Sequence, residues 1–66
     1  MDILLNGTST SIPDQCTIAQ LLEHNGLAAR RVATEVNGEI VPRGEHASCV
    51  LAPGDRVELV HALGGG

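Results

Sequence analysis

The histidines are the first candidates for chemistry in this chain, because an imidazole can act as a general base or bind a metal ion. There are three of them in the sequence. No two have a short spacing such as HxxxH, which brings two imidazoles to one face of a helix as metal ligands. We therefore predict no metal site and expect ordinary polar roles for His24, His46 and His61.

The other side chains that catalytic sites use are also poorly placed. Glu35 and Glu39 flank an Asn-Gly pair and are expected to face water across a hairpin. The stretch GEIVPRGE has too few glycines for a phosphate-binding loop, and no lysine follows it. The nucleophile-elbow motif is missing around the serines Ser9, Ser11 and Ser48. The sequence predicts no catalytic residue and no bound cofactor.

The remaining reactive group is the carboxylate that ends the stretch VHALGGG. A carboxylate becomes reactive when it is adenylated, because AMP is then a leaving group. Residues without a Cβ allow a partner enzyme to hold the backbone closely from all sides. We predict that Gly66 is the modified residue, that Gly64, Gly65 and Gly66 enter partner active sites, and that Leu63 contacts the channel mouth.

The three final glycines follow the last predicted strand and bridge no elements, so their high ordering entropy predicts a flexible tail. The domain boundaries that follow are 1–63 for one folded domain and 64–66 for the tail. The 66 residues are 42% hydrophobic but include no Phe, Tyr or Trp, so the core is expected to consist of Ile, Leu, Val and Ala.

The charge of the chain restricts its partners. The sequence has eight acidic residues and four arginines, and its formal net charge is −4. Nucleic acids and anionic membranes both need clustered positive charge, so neither is an expected partner. A basic surface on another protein is the more natural partner.

Location and redox state follow from two further features. No apolar run approaches the roughly 20 residues that span a bilayer, and the start MDILLNG lacks a basic region and a cleavage site. We expect a cytoplasmic protein. Cys16 and Cys49 form neither a CxxC pair nor a metal-ligand pattern, so both are expected to be reduced, partly buried thiols, with a disulfide as the alternative in an oxidising compartment.

Turn and capping signals divide the first half of the chain. Asn6-Gly7 predicts a hairpin over residues 2–13, because both central residues of a type I′ turn need positive φ. Thr17 and Gln20 have the spacing of a capping box, and Gly26 is a helix stop. A helix over 17–25 follows, with a stripe formed by Ile18, Leu21, Leu22 and Asn25.

The second half repeats the hairpin signal. Strands 32–36 and 39–41 flank Asn37-Gly38, and residues 44–51 are expected to form a loop with one helical turn. The turn 53–55 leads to the longest strand, in which Val57, Leu59, His61 and Leu63 alternate with Arg56, Glu58, Val60 and Ala62.

One helix lying across one mixed sheet of four to five strands covers one sheet face in a chain of this size. The last strand is expected to return to the middle of the sheet, beside the first. This is the α+β architecture called β-grasp, or ubiquitin-like, and its topology is inferred partly by analogy.

With these elements in place, the chain resembles the small sulfur carrier proteins of thiamine biosynthesis, the ThiS type. The most specific segments are VNGEIVPR and the ending GDRVELV…GG, and the resemblance covers essentially the whole chain. It implies that an E1-like adenylyltransferase of the ThiF type uses ATP to adenylate Gly66, and that a cysteine desulfurase or sulfurtransferase supplies sulfur. The resulting thiocarboxylate gives its sulfur to thiazole synthase of the ThiG type, and the carrier itself is not an enzyme.

Two other functions share this architecture: the small subunit of molybdopterin synthase, and a protein modifier that links its carboxylate to lysines. A plain binding module is a further alternative. For docking on the activating enzyme, we expect the exposed face beside the tail, with Val60, Ala62 and Leu63.

Overall fold

The computed structural model describes residues 1–27 and 31–61. Its first hairpin joins β1 (Asp2–Leu5) to β2 (Thr8–Ser11) in antiparallel register. Asn6 and Gly7 form the turn with φ of 50° and 83°. Positive φ at both positions matches a type I′ turn, so the hairpin predicted from this Asn-Gly pair is confirmed.

The helix α1 (Ile18–His24) begins at the predicted capping box. Thr17 Oγ1 accepts a hydrogen bond from Gln20 N at 3.1 Å, and Gln20 Oε1 accepts one from Thr17 N at 2.9 Å. Gly26, with φ of 71°, follows the helix end in the left-handed conformation. A helix of seven residues has little stability alone and depends on packing against the sheet.

The second hairpin joins β3 (Val32–Val36) to β4 (Glu39–Val41) through Asn37-Gly38, as predicted. A single 3₁₀ turn, Arg43–Glu45, follows β4 and starts one residue before the predicted loop. His46 directly follows this turn, and its side chain is buried. The ring nitrogen Nε2 of His46 lies 3.1 Å from the carbonyl oxygen of Val41 and donates to it. His46 therefore ties the turn to the end of β4.

The last strand, β5 (Arg56–His61), is the longest among the described residues and occupies the middle of a five-stranded sheet. The strand order is β2-β1-β5-β3-β4. β5 runs parallel to β1 and antiparallel to β3. The β-grasp topology expected from the sequence is thus confirmed, including the return of the last strand beside the first.

The core lies between α1 and one face of the sheet. Helix residues Ile18 and Leu21 share a buried cluster with Val57 and Leu59 of β5. The expectation that alanine contributes to this core is wrong for the described alanines, since none belongs to the cluster. Cys16, which is 1% exposed, is the small residue that packs there instead. Leu51 N donates a hydrogen bond to the carbonyl oxygen of Cys16 at 2.8 Å, which joins the segment before the helix to another member of the cluster.

Both cysteines are free thiols, as predicted. Burial raises the pKa of the Cys16 thiol above its ordinary value, because the thiolate would lose its hydration. Cys16 Sγ also donates to the carbonyl oxygen of Thr17 at 3.4 Å, which favours the neutral form. Because the pKa of Cys16 is raised in the folded protein, burial of the neutral thiol stabilises the fold at neutral pH. This stabilisation is lost as pH rises through the raised pKa, since the thiol must then ionise.

Within residues 1–27 and 31–61, no helix has the length and hydropathy of a membrane-spanning segment.

The core contains one polar atom whose removal we expect to stabilise the protein. Thr34 on β3 is 1% exposed, and its Oγ1 has no hydrogen-bond partner among the described residues. Thr34→Val replaces this hydroxyl by a methyl group of similar shape, and should raise the free energy of unfolding by about 1–2 kcal/mol. Urea denaturation measures the change.

Thr8→Val is the matched control, because Thr8 lies exposed on the edge strand β2 and its substitution should change stability by less than about 0.5 kcal/mol. A lower urea midpoint for Thr34→Val than for the wild-type chain would contradict the interpretation of Thr34 as an unpaired buried hydroxyl.

Candidate functional site

The site predicted from the sequence lies at the end of β5 and beyond it. Of its residues, Val60 is within the described part of the chain, and its side chain is 55% exposed on the sheet face that α1 does not cover. The residues Ala62, Leu63, Gly64, Gly65 and Gly66 lie outside the described residues. What the structure defines is therefore the strand that leads to the tail and the surface around it.

Asn6 holds β5 from the β1 side. Its backbone N donates to the carbonyl oxygen of Val57 at 2.9 Å, which extends the parallel ladder by one residue. Its side-chain Oδ1 then accepts a hydrogen bond from Leu59 N at 2.8 Å. The chain turns away at Gly7, so this amide oxygen takes the place of the backbone acceptor that a longer β1 would supply. The Asn-Gly turn thus has a second role, in strand pairing.

Asn37 holds the start of β5 from the β3 side. Its backbone N donates to the carbonyl oxygen of Arg56 at 2.7 Å, and its Oδ1 accepts from Arg56 N at 3.0 Å. Its Nδ2 also donates to Asp55 Oδ1 at 3.1 Å. The other oxygen of Asp55 accepts from Ala52 N at 2.8 Å, which closes the preceding turn. Both Asn-Gly turns therefore fasten the same strand.

The register that results separates the two faces of β5. Val57 and Leu59 point into the core, whereas Arg56, Glu58 and Val60 are exposed. A slip of one residue would exchange these two sets. The predicted alternation of β5 is confirmed through Val60, and the strand itself extends to His61.

The open face, defined here as the sheet surface away from α1, carries large apolar side chains that are exposed. Leu4 on β1 is 41% exposed, Ile40 on β4 is 74% exposed, and Val60 lies on β5 between them in the strand order. Charged residues lie among them on β5 and β3.

The two glutamates beside the second turn do not pair with each other across the hairpin; Glu39 is exposed to water, as expected, and Glu35 is half-buried. Glu39 pairs with Val36, and Glu35 pairs with Ile40. On its other side Glu35 pairs with Glu58 of β5, so these two carboxylates lie on neighbouring strands of the open face. This pair is not predictable from local sequence, because it depends on the register between two strands that are distant in the chain. Only the alternation of charged residues on β5 hinted at it.

The three histidines occupy separate elements. His24 is exposed at the end of α1, His46 is buried in its structural role, and His61 ends β5. Within residues 1–27 and 31–61, no group of three or more His, Cys, Asp or Glu residues is arranged to hold a metal ion.

Comparison with protein families adds the identity of the chain. The family model described as ThiS family matches residues 3–66. The chain belongs to the ThiS family of small sulfur carrier proteins. The match includes the final glycines as well as the β-grasp domain.

Solved structures of similar proteins have the same ThiS fold. The crystal structure of a thiamine biosynthesis protein (ThiS) from Geobacter metallireducens superposes with a TM-score of 0.86 and 29% sequence identity, covering 100% of both chains. A solution NMR structure of a thiamine biosynthesis protein from the same organism gives a TM-score of 0.79 and 29% identity, covering 100% of this chain and 88% of that one. The whole ThiS domain is therefore shared.

Longer proteins also contain a segment similar to this ThiS-family chain. A thiazole synthase of Paramagnetospirillum magneticum is 36% identical over 66 residues, and a thiazole synthase of Magnetococcus marinus is 39% identical over 66 residues. The chain spans only 20% of the length of each of these relatives. In both, a ThiS-like segment is part of a larger polypeptide.

The role of Asn6 in holding β5 of this ThiS-family chain is testable by three substitutions. Asn6→Gly tolerates the positive φ but removes the acceptor for Leu59 N, and should cost about 1–2 kcal/mol of stability. Asn6→Ala adds left-handed backbone strain, for a further cost of about 1 kcal/mol. Asn6→Asp keeps an acceptor and tolerates the conformation, so it serves as the control. Urea denaturation gives the stabilities, and amide exchange reports on Leu59 directly.

If Asn6→Gly left both the urea midpoint and the protection of the Leu59 amide at wild-type values, the side-chain hydrogen bond would have no role in holding β5.

Proposed function

We propose that this chain carries sulfur for the thiazole ring of thiamine as a thiocarboxylate on Gly66. The observation that supports this most directly is the family match through residue 66, which includes the glycine tail. The names of the similar proteins support the pathway, since they are a thiamine biosynthesis protein and two thiazole synthases. The carrier takes part as a co-substrate of other enzymes.

The proposed chemistry begins at the terminal carboxylate. One carboxylate oxygen attacks the α-phosphate of ATP, pyrophosphate leaves, and an acyl adenylate forms on Gly66. The terminal sulfur of a persulfide on the donor enzyme then attacks the activated carbonyl carbon, AMP leaves with the oxygen, and an acyl disulfide forms. A cysteine thiol attacks the enzyme-bound sulfur of that disulfide, so that the S–S bond breaks, the thiocarboxylate leaves and a protein disulfide remains. ATP and the catalytic groups belong to an E1-like activating enzyme of the ThiF type, and the sulfur comes from a cysteine desulfurase or sulfurtransferase.

The glycine tail suits this chemistry for a steric reason. Without a Cβ on Gly64, Gly65 or Gly66, an enzyme channel can close around the backbone on all sides. Close packing holds the carboxylate in line with the phosphate, and such positioning supplies a large part of the rate enhancement in group transfer. The folded domain contributes recognition, with β5 leading directly toward the tail.

The proposed acceptor of the sulfur is thiazole synthase of the ThiG type. Two thiazole synthases contain a segment similar to this chain within their own polypeptide. Joining a carrier segment and a synthase in one chain raises the effective concentration of one for the other. This arrangement supports a direct transfer from carrier to synthase.

The chemical change is testable by intact mass. The 66-residue chain, incubated with the activating enzyme, ATP and a sulfur donor, should gain the mass difference between one sulfur and one oxygen atom. Deletion of Gly66, or a peptide tag after it, should abolish the gain, because the carboxylate is then displaced from the reacting position.

An unchanged mass, with the same enzyme active on another carrier, would overturn the proposal. Covalent attachment of the chain to lysines of other proteins would favour a protein modifier instead. Sulfur transfer to a molybdopterin precursor rather than to thiazole synthase would assign the carrier to molybdopterin synthesis.

Docking of the activating enzyme is proposed on the open face beside the tail, through Val60 and, outside the described residues, Ala62 and Leu63. Val60→Thr keeps the β-branched shape but adds a hydroxyl, whose desolvation in the interface should cost about 1 kcal/mol, or about fivefold in the KM for the carrier. Adenylation is measured by ATP–pyrophosphate exchange.

Val50→Thr is the matched control, because Val50 is 56% exposed but pairs with Thr17 outside the five-stranded sheet. Equal KM values for the Val60 and Val50 variants would remove Val60 from the docking surface.

A further inference from the structure

The open face carries an acidic cleft among its apolar side chains, and we propose that the cleft receives an arginine or lysine side chain of the activating enzyme. The contact would select a partner with a complementary basic residue at that place. This inference rests on the proposed function, because it concerns the docking of the carrier before adenylation. In this proposal, the carboxylates of Glu35 and Glu58 are the groups that select a basic partner.

The geometry begins with the register of β3 and β5. Glu35 and Glu58 are directly paired across the two strands, both on the open face. Like charges in directly opposed positions of a sheet destabilise it. The only ion pair among the described residues joins the Met1 amino group to Asp14, so neither glutamate is paired with a cation there. A cation bound between the two opposed carboxylates would offset their like-charge interaction.

The two carboxylates line a shallow cleft of about 120 Å³ together with Gly38 and Arg56. This volume has room for a few water molecules, each of which takes up about 30 Å³ in the liquid. Gly38 has no side chain to close the cleft at the turn. Arg56 supplies one positive charge against two negative ones, so the cleft retains a net negative charge. A basic side chain of a partner protein would neutralise this remaining negative charge.

Apolar side chains adjoin the cleft. Ile40 is the cross-strand neighbour of Glu35, and Val60 is two residues beyond Glu58 on the same face. When a protein covers Ile40 and Val60, water is excluded from the carboxylates between them. Charge interactions strengthen as the local dielectric falls, so docking would reinforce the contact with a basic side chain. An arginine guanidinium can bond to two carboxylate oxygens at once.

Charge also decides against a second copy of this chain as the occupant. Among the described strand residues of the open face, Asp2, Glu35 and Glu58 carry negative charge and Arg56 carries positive charge. Two such faces in contact would bring carboxylates of the same sign together. A basic surface on another protein is complementary, and the net charge of −4 would also speed its approach.

The cleft must be close to the active site of the partner. Gly66 is eight positions after Glu58 in the sequence, and eight residues of fully extended chain span at most about 26–29 Å. The basic residue of the partner therefore lies within about that distance of the ATP α-phosphate, so the same enzyme contacts both the cleft and the tail.

The test compares two double variants that remove the same charge. Glu35→Gln with Glu58→Gln neutralises the cleft, and Glu23→Gln with Glu45→Gln neutralises two exposed glutamates on α1 and on the 3₁₀ turn. ATP–pyrophosphate exchange with the activating enzyme is measured against carrier concentration at low and high salt. For the cleft variant we expect a KM at least about tenfold higher at low salt, an unchanged kcat, and a smaller difference at high salt.

The control variant should change KM by less than about twofold, because its charges lie away from the docked surface. The cleft variant should also resist urea at least as well as the wild-type chain, because a like-charge pair has been removed. This result separates lost docking from lost folding.

Equal KM values for the two double variants, or a loss of kcat with unchanged KM, would overturn the proposed cleft contact. A dimer of the wild-type chain in sedimentation that the cleft variant lacks would overturn it in favour of a second copy. Absence of exchange with the wild-type chain, while the enzyme adenylates another carrier, would overturn the proposed function and the cleft contact with it.

Discussion

The attachment of β5 on both of its edges is the constraint on which the rest of this structure depends. β5 pairs in parallel with β1 and antiparallel with β3, so it joins two hairpins that would otherwise be separate. Asn6 and Asn37 complete these ladders with side-chain amides at the points where the backbone turns away. Hairpins alone are marginal in water, and three or more strands on a common core are needed for stability. The central strand provides that connection.

Because this attachment fixes the register of β5, the two faces of the strand carry different kinds of side chains. On the core side, Val57 and Leu59 pack with the helix residues Ile18 and Leu21. On the open side, Val60 and the paired glutamates remain accessible on the strand that leads toward the tail. The packed core and the exposed surface therefore depend on alternate residues of one strand. A substitution on one side leaves the other in place only while the register of β5 holds.

Much of this fold was predictable, because several of its signals are local. An Asn-Gly pair needs only its own backbone conformation to form a turn, and the capping box of Thr17 and Gln20 lies within a single helical turn. Other features depend on contacts between distant segments. Cys16 takes a core position where alanine was expected, His46 is buried against Val41, and Glu35 faces Glu58. No local pattern distinguishes these residues from others of the same type.

The sequence by itself determined the element order, the alternation of β5 and the family resemblance, because each is carried by residue types at short spacing. It also directed attention to Gly66 as the residue with reactive potential. Only the tertiary structure decided which charged residues share a surface, and that Asn6 and Asn37 fasten one strand. The physical reason is that strand register is set by the packing of a common core and by hydrogen bonds between residues far apart in the chain, such as Asn6 and Leu59 at a sequence separation of 53.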